Sequence, residues 1–191
     1  MLENFIRFTT VAVLALATTG AGAAPDIASG EYFNQPYLAG IKVVPAWNAG
    51  LLGAGFIIAD LDSGVRATHV DLLGRIVAGG YDFVNDDDDP DDDDDSITDG
   101  HGTASAGVIV GNWNGVGIGG IAPSAQILPV KITDHENLSS GDLIRKGFEF
   151  ATGNAGVRII LLDTVNVPLS AAEFASLQLA VANGKLVIAP S

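Results

Sequence analysis

No cysteine occurs among the 191 residues. That excludes a disulfide scaffold, a thiol nucleophile and cysteine-ligated zinc or iron–sulfur centres. Positive charge is also scarce: nine Lys and Arg stand against 23 Asp and Glu, a net charge of -14. A chain this acidic lacks the basic footprint of a nucleic-acid binder, so no nucleic-acid partner is expected. Beyond the N-terminal stretch, no apolar run suits a bilayer span of about 20 residues. What is plentiful is apolar material, 48% of the residues, which supports a sizeable core and excludes disorder throughout. The length fits one domain, or one domain with a tail.

The acidity is concentrated in one place. Residues 86–95 read DDDDPDDDDD, nine Asp in ten positions; without them nine basic residues face fourteen acidic ones, a balance of -5. Such a run is either a solvated, self-repelling loop or a cation-binding one. Calcium takes about six to eight oxygen ligands, and carboxylates on either side of a turn at Pro90 can supply several. The expectation is structural Ca2+ bound weakly or at several positions, with Asp86, Asp88 and Asp91 as candidate ligands. EF-hand spacing is absent.

The N-terminus, MLENFIRFTTVAVLALATTGAGAAP, sets Arg7 before an apolar stretch over residues 8–17, with small residues after it. That is the layout of a secretory signal peptide. Ala21-Gly22-Ala23 fits a small-x-small cleavage pattern, and a cut one residue later would leave Pro25 as the first mature residue. The organisation predicted is a signal peptide over 1–23, a short linker over 24–34 and the folded part over 35–191, exported and without stable membrane insertion after cleavage. The alternative for 1–23 is an uncleaved anchor.

From about residue 35, strand and helix patterns alternate. Gly55-Phe-Ile-Ile-Ala-Asp-Leu61 is a short apolar run bounded by glycine, a buried strand. Residues 76–83, 126–132, 157–162 and 185–189 read as further strands. A small-residue helix is predicted over 101–110. Ser140 caps a second, with Leu143, Ile144, Phe148 and Ala151 on one face; Ser170 and Glu173 have capping-box spacing for a third. Alternating strands and helices predict an α/β fold, a parallel β-sheet with helices on both faces. The final strand runs to Ser191 with no helix after it to cover it, as if the chain were interrupted within a fold.

In such sheets functional side chains gather beyond the carboxyl ends of the strands. Asp62 stands there, after Ile57-Ile-Ala-Asp-Leu61 and before Ser63-Gly64. Its type and place suit a metal ligand, a phosphoacceptor, a catalytic orienter or a turn former. His101 opens a helix within Asp99-Gly-His-Gly-Thr103, where the glycines allow close backbone approach and the helix dipole disfavours the imidazolium. The glycines of residues 115–120 do not follow a first strand and open a helix, so a dinucleotide loop is excluded.

Four segments in order carry a family resemblance: Asp62-Ser63-Gly64 with His69-Val70-Asp71-Leu72, then Asp99-Gly100-His101-Gly102-Thr103, then Gly120-Ile121-Ala122-Pro123, then Ile127-Leu128-Pro129-Val130-Lys131. Together they resemble the subtilisin-like serine peptidases, family S8, over residues 35–191. The resemblance implies the subtilisin-like α/β fold, C-terminally truncated, and an Asp-His-Ser triad. It implies His101 as general base and acid, Asp62 as the residue that orients it, and a protein or peptide as substrate. No cofactor is implied for catalysis.

Several parts of the family pattern are missing or altered. No Gly-Thr-Ser-x-Ala nucleophile motif is present; Gly102-Thr-Ala-Ser-Ala106 imitates it with Ser105 one place late. The family's oxyanion Asn follows the strand that here reads Leu186-Val-Ile-Ala-Pro-Ser191 and is not among these residues. Asp163-Thr164-Val165 aligns with the family's substrate-pairing Ser-Leu-Gly, adding charge and a β-branched side chain. Residues 134–140 align with the other substrate-flanking segment. The expectation is an exported serine endopeptidase represented by its Asp- and His-bearing part and inactive alone. The alternatives are a non-catalytic binding protein on the same fold and an acidic calcium-binding exported protein.

Overall fold

The computed structural model describes residues 24–93, 100–133, 139–163 and 169–190. Five parallel strands form one sheet in the order β2-β3-β1-β4-β5: β1 Ile57–Asp62, β2 Tyr81–Asp82, β3 Gln126–Lys131, β4 Val157–Leu162 and β5 Leu186–Ile188. Strand β1 lies at the centre, and its last residue, Asp62, is in register with Lys131 of β3. Asp163, one residue beyond β4, donates its backbone N–H to Leu61 O at 3.2 Å. Three polar residues therefore reach the same carboxyl edge from adjacent strands.

Strand alternation sorts the sheet into two faces. Ala59, Leu61, Leu128, Val130, Ile160 and Leu162 pack on Ile144, Phe148 and Ala151 of helix α5 (Gly141–Gly153) and on Ala180 of helix α6 (Ala171–Ala182). Each fully buried side chain of this size contributes about 1.5–3 kcal/mol relative to exposure. The opposite face, with Ile58, Ile127, Ile159 and Leu161, packs on Ala106 and Val110 of helix α4 (His101–Val110). Helices cover both faces, as the sequence pattern predicts. The caps are also where the sequence puts them: Ser140 accepts from Leu143 N, and Ser170 with Glu173 forms a capping box.

Two expectations need correcting. The strand predicted over 76–83 contracts to Tyr81–Asp82, preceded by an isolated bridge between Ile76 and Ile127. The neighbouring strand carries Pro129, which has no N–H to donate, and the chain opposite it turns through Gly79 at φ +90° and Gly80. A Cβ on Gly80 would lie 2.4 Å from Pro129 O. The segment predicted as a linker over 24–34 is not free either. It contains helix α1 (Gly30–Phe33), and the buried Glu31 accepts a hydrogen bond from Asn114 N at 3.1 Å. Helices α2 (Pro36–Gly40) and α3 (Val44–Asn48) follow and build a satellite core of Leu38, Val43, Trp47 and Leu52. Trp47 donates to Ile121 O at 2.8 Å, tying this layer to the sheet domain.

At the far edge, Leu186 and Ile188 of β5 are exposed on the face that α4 covers nearer the centre, while Val187 packs inward with α6. Among the described residues no helix is long and apolar enough to cross a membrane.

Candidate active site

Strand β1 ends at Asp62 and helix α4 begins at His101. Ile58 faces α4, so Asp60 and Asp62, at the same parity, face it too. The helix start is pressed directly against the strand end. A Cβ on Gly102 would lie 2.2 Å from Gly64 O and 3.1 Å from Asp62 Cβ, so only glycine permits this approach. Gly100 precedes the helix at φ +93°, the left-handed region glycine tolerates, and turns His101 toward the strand.

The two predicted residues meet. His101 Nδ1 lies 2.8 Å from both Asp62 Oδ1 and Oδ2, matching the expected hydrogen-bonded pair. The Asp62 side chain is 0% exposed and that of His101 is 43% exposed, so the imidazole has one edge on the carboxylate and another toward solvent. Ser63 N donates to Asp62 Oδ1 at 2.6 Å and fixes the carboxylate. Burial pushes the Asp62 carboxyl up to about 6, against the pull of His101 and of Ser63 N–H. Burial also works to lower the His101 imidazole, but its hydrogen bond to Asp62 and that carboxylate's charge outweigh it and hold the ring above its ordinary value. As a unit the pair retains its proton. Such a pair fixes one tautomer, with Nδ1–H on the carboxylate and Nε2 free to accept a proton.

Asp92 supports this arrangement. It is 2% exposed, and its Oδ2 accepts from Thr103 N at 3.1 Å and Thr103 Oγ1 at 2.6 Å. Its Oδ1 accepts from Ser63 Oγ at 3.1 Å, and Ser63 Oγ in turn accepts from Gly102 N at 3.0 Å. Asp92 thus caps α4 from a distant loop and holds the residues after Asp62 and His101 together. Asp92 is not singled out by its sequence context, yet the helix start carries a signal for it. The N-cap position of α4 is glycine and has no side-chain oxygen, so an acceptor has to come from elsewhere. A second buried carboxylate of this region, Asp82, sits 3.5 Å from Lys131 Nζ. Lys131 also reaches Asp93 and donates to Asp91 O at 3.1 Å.

Asp163 stands on the other side of the pair. One ligating atom each from Asp62, His101 and Asp163 lie within 4.8 Å of one another. Ser105 Oγ donates to Asp163 Oδ2 at 2.9 Å, so this hydroxyl serves the carboxylate. Asp60, two residues before Asp62, is buried, and among the described residues neither carboxylate oxygen is hydrogen-bonded. Burial, then the charges of Asp62, Asp163 and Asp92, push its carboxyl well above the usual range.

Comparison with known proteins agrees with this geometry. The model of the subtilase family, Peptidase S8, matches residues 53–162. The chain belongs to the subtilase family. It is 39% identical over 141 residues to the minor extracellular protease Epr of Bacillus subtilis, a match covering 73% of this chain and 19% of that protein. It is 33% identical over 138 residues to thermitase of Thermoactinomyces vulgaris, covering 68% of this chain and 47% of the relative. A crystal structure of a cold-adapted subtilisin-like serine proteinase superposes with a TM-score of 0.60 at 26% identity, over 72% of this chain and 47% of that one. The chain therefore spans half or less of the length of these relatives.

The other predicted site residues fare differently in this subtilase chain. Of Asp163, Thr164 and Val165, the first lies at the site, while Thr164 and Val165 lie outside the described residues. So do Asp99, residues 134–138, Ser191 and the predicted signal peptide over 1–23. Asp86, Asp88 and Asp91 do not converge. Among the described residues, the group of three ligating side chains within 4.8 Å is Asp62, His101 and Asp163. Asp86 instead accepts from Tyr81 Oη at 3.0 Å, and Asp91 lies 4.0 Å from Arg66 Nε.

Proposed function

We propose that this chain carries the acid–base half of an exported, subtilisin-type serine endopeptidase acting on protein or peptide substrates. The supporting observation is the buried Asp62 carboxylate, 2.8 Å from His101 Nδ1 at the carboxyl edge of the central strand. In this reading His101 Nε2 takes a proton from a serine hydroxyl and returns it to the leaving amine, while Asp62 stabilises the imidazolium between those steps. Export is supported by the layout of residues 1–23 and by the extracellular relative. Calcium bound diffusely by the exposed part of the acidic run would be a stabiliser and takes no part in the chemistry.

The nucleophile and the oxyanion Asn are not among these 191 residues. Ser105 does not fill the gap, because its hydroxyl donates to Asp163. The chain alone is therefore expected to be inactive: without a nucleophile no acyl-enzyme forms, and one missing oxyanion donor alone costs about 2.7–4 kcal/mol of transition-state stabilisation.

The test uses a chromogenic peptide and a fluorophosphonate probe on the purified chain. Neither turnover nor labelling is expected. Mixing with a polypeptide that bears a subtilase serine segment should give labelling of that serine, lost in His101→Ala. Labelling of Ser105 in the chain alone, with turnover lost in His101→Ala, would overturn the reading.

A further inference from the structure

We propose that Asp62, His101 and Asp163 form a binding site for one divalent transition-metal ion of the zinc class. The proposal needs neither a serine nor a peptide substrate, so it stands apart from the peptidase reading.

The donor set is two carboxylates and one imidazole from three different elements: the end of β1, the start of α4 and the residue after β4. Zinc binds imidazole nitrogen and carboxylate oxygen at about 2.0–2.2 Å, and sites with three protein ligands keep a fourth position open. Two donors on one tetrahedral ion at those bond lengths stand about 3.3 Å apart. Here Nδ1 and the Asp62 oxygens are 2.8 Å apart, and all three groups fall within 4.8 Å. Small side-chain movements bring them to ligating geometry. Asp163 is half-buried, and solvent reaching the group from its side leaves room for a water in the fourth position.

The two carboxylates are already oriented by outer hydrogen bonds. Ser63 N holds Asp62 Oδ1 at 2.6 Å, and Ser105 Oγ holds Asp163 Oδ2 at 2.9 Å. Partners of this kind fix ligating carboxylates in known metal sites. They also give Ser105 a role that the peptidase reading leaves empty.

An independent observation points to a cation at the same place. Asp60 is 1% exposed, lies on the same face of β1 as Asp62, and has no hydrogen-bond partner on either oxygen among the described residues. A polar group so deeply buried without a partner is costly, and this one stands two residues before the Asp62 donor. The softer imidazole donor selects against calcium, which takes oxygen ligands. On binding, the ion takes the position of the Nδ1 proton and the neutral ring keeps its one proton on Nε2, which then has no lone pair free to accept another. Metal occupancy and general-base action by His101 therefore exclude one another.

The experiment is a Zn2+ titration of the purified full chain, read by calorimetry and by the 15N shift of the His101 ring. One equivalent bound with a shifted His101 Nδ1 resonance is expected. Affinity should fall at least tenfold in Asp163→Asn, and also in Asp163→Ser, which serves if the first variant misfolds by circular dichroism. The Asp86→Asn/Asp88→Asn/Asp89→Asn variant should bind as tightly as the parent, and excess Ca2+ should not displace the zinc. A His101 ring untouched by Zn2+, unchanged affinity in both Asp163 variants, or loss of binding in the Asp86/Asp88/Asp89 variant would overturn the proposal.

Discussion

On the two sides of Pro90 the described residues of the acidic run, Asp86 to Asp89 and Asp91 to Asp93, share one composition and differ in character. On one side Asp86 to Asp89 are exposed, bonded to the nearby Tyr81 hydroxyl and to their own backbone. On the other side Asp92 is buried as the remote cap of the His101 helix, and Asp91 O and Asp93 hold Lys131. The backbone there is also packed: Val65 N donates to Pro90 O at 2.9 Å, and Gly64 at φ +102° has no room for a Cβ against that carbonyl. One residue type, repeated, serves as solvated surface before Pro90 and as a clamp on the Asp62–His101 pair after it. What decides is the partner each half meets, a helix N-terminus and a buried lysine against open water.

The largest effect should come from the clamp. Asp92→Ala removes three hydrogen bonds to a buried carboxylate and strips α4 of its cap, and should lower unfolding free energy in urea by about 3 kcal/mol or more. The His101 resonance should broaden at the same time. An Asp92→Ala chain as stable as the parent would erase the distinction between the halves.

Next is Lys131→Met. It leaves Asp82, 1% exposed, as an uncompensated buried charge, and stability at neutral pH should fall by about 3 kcal/mol. The double variant Asp82→Asn/Lys131→Met should recover much of that loss.

A smaller change of opposite sign is expected at Asp60. Its folded carboxyl is raised above the ordinary value near 4, so the protonated form stabilises the fold below that pH and the contribution is lost as pH rises. Asp60→Asn removes that loss. In metal-free buffer it should be more stable than the parent by about 1–3 kcal/mol at pH 7, with the difference shrinking toward pH 4. Equal stability at both pH values would contradict the assignment of Asp60 as an unpaired buried acid.

The smallest effect belongs to the exposed half. Asp86→Asn, Asp88→Asn and Asp89→Asn together should leave the thermal midpoint unchanged at physiological salt. A slight rise is expected at low salt, where repulsion within the run is unscreened.

Much of this was legible in the sequence. The central strands, the three longer helices and their caps follow from apolar spacing and from Ser140, Ser170 and Glu173, because those signals are local. The Asp62–His101 pair was legible because a strand-end Asp and a glycine-flanked His follow a recognisable pattern. What escaped depends on partners far away in the chain. The contraction of β2 depends on Pro129 lying opposite Gly80, about fifty positions later. The docking of residues 30–34 depends on Asn114. Asp92 looks like its eight neighbours until the helix it caps is in place. Asp163 read as an altered substrate contact, and only the β1–β4 register brings it beside Asp62 and the Ser105 hydroxyl.

The most direct test of the central claim, that Asp62 and His101 form a preassembled proton-holding pair, is an NMR titration of the His101 imidazole in metal-free buffer. The account predicts a pKa above the ordinary histidine value of about 6.5, an Nδ1–H tautomer at high pH, and a fall in that pKa in Asp62→Asn, where burial acts without the carboxylate. A His101 that titrates at or below its ordinary value, and does so unchanged in Asp62→Asn, would contradict it.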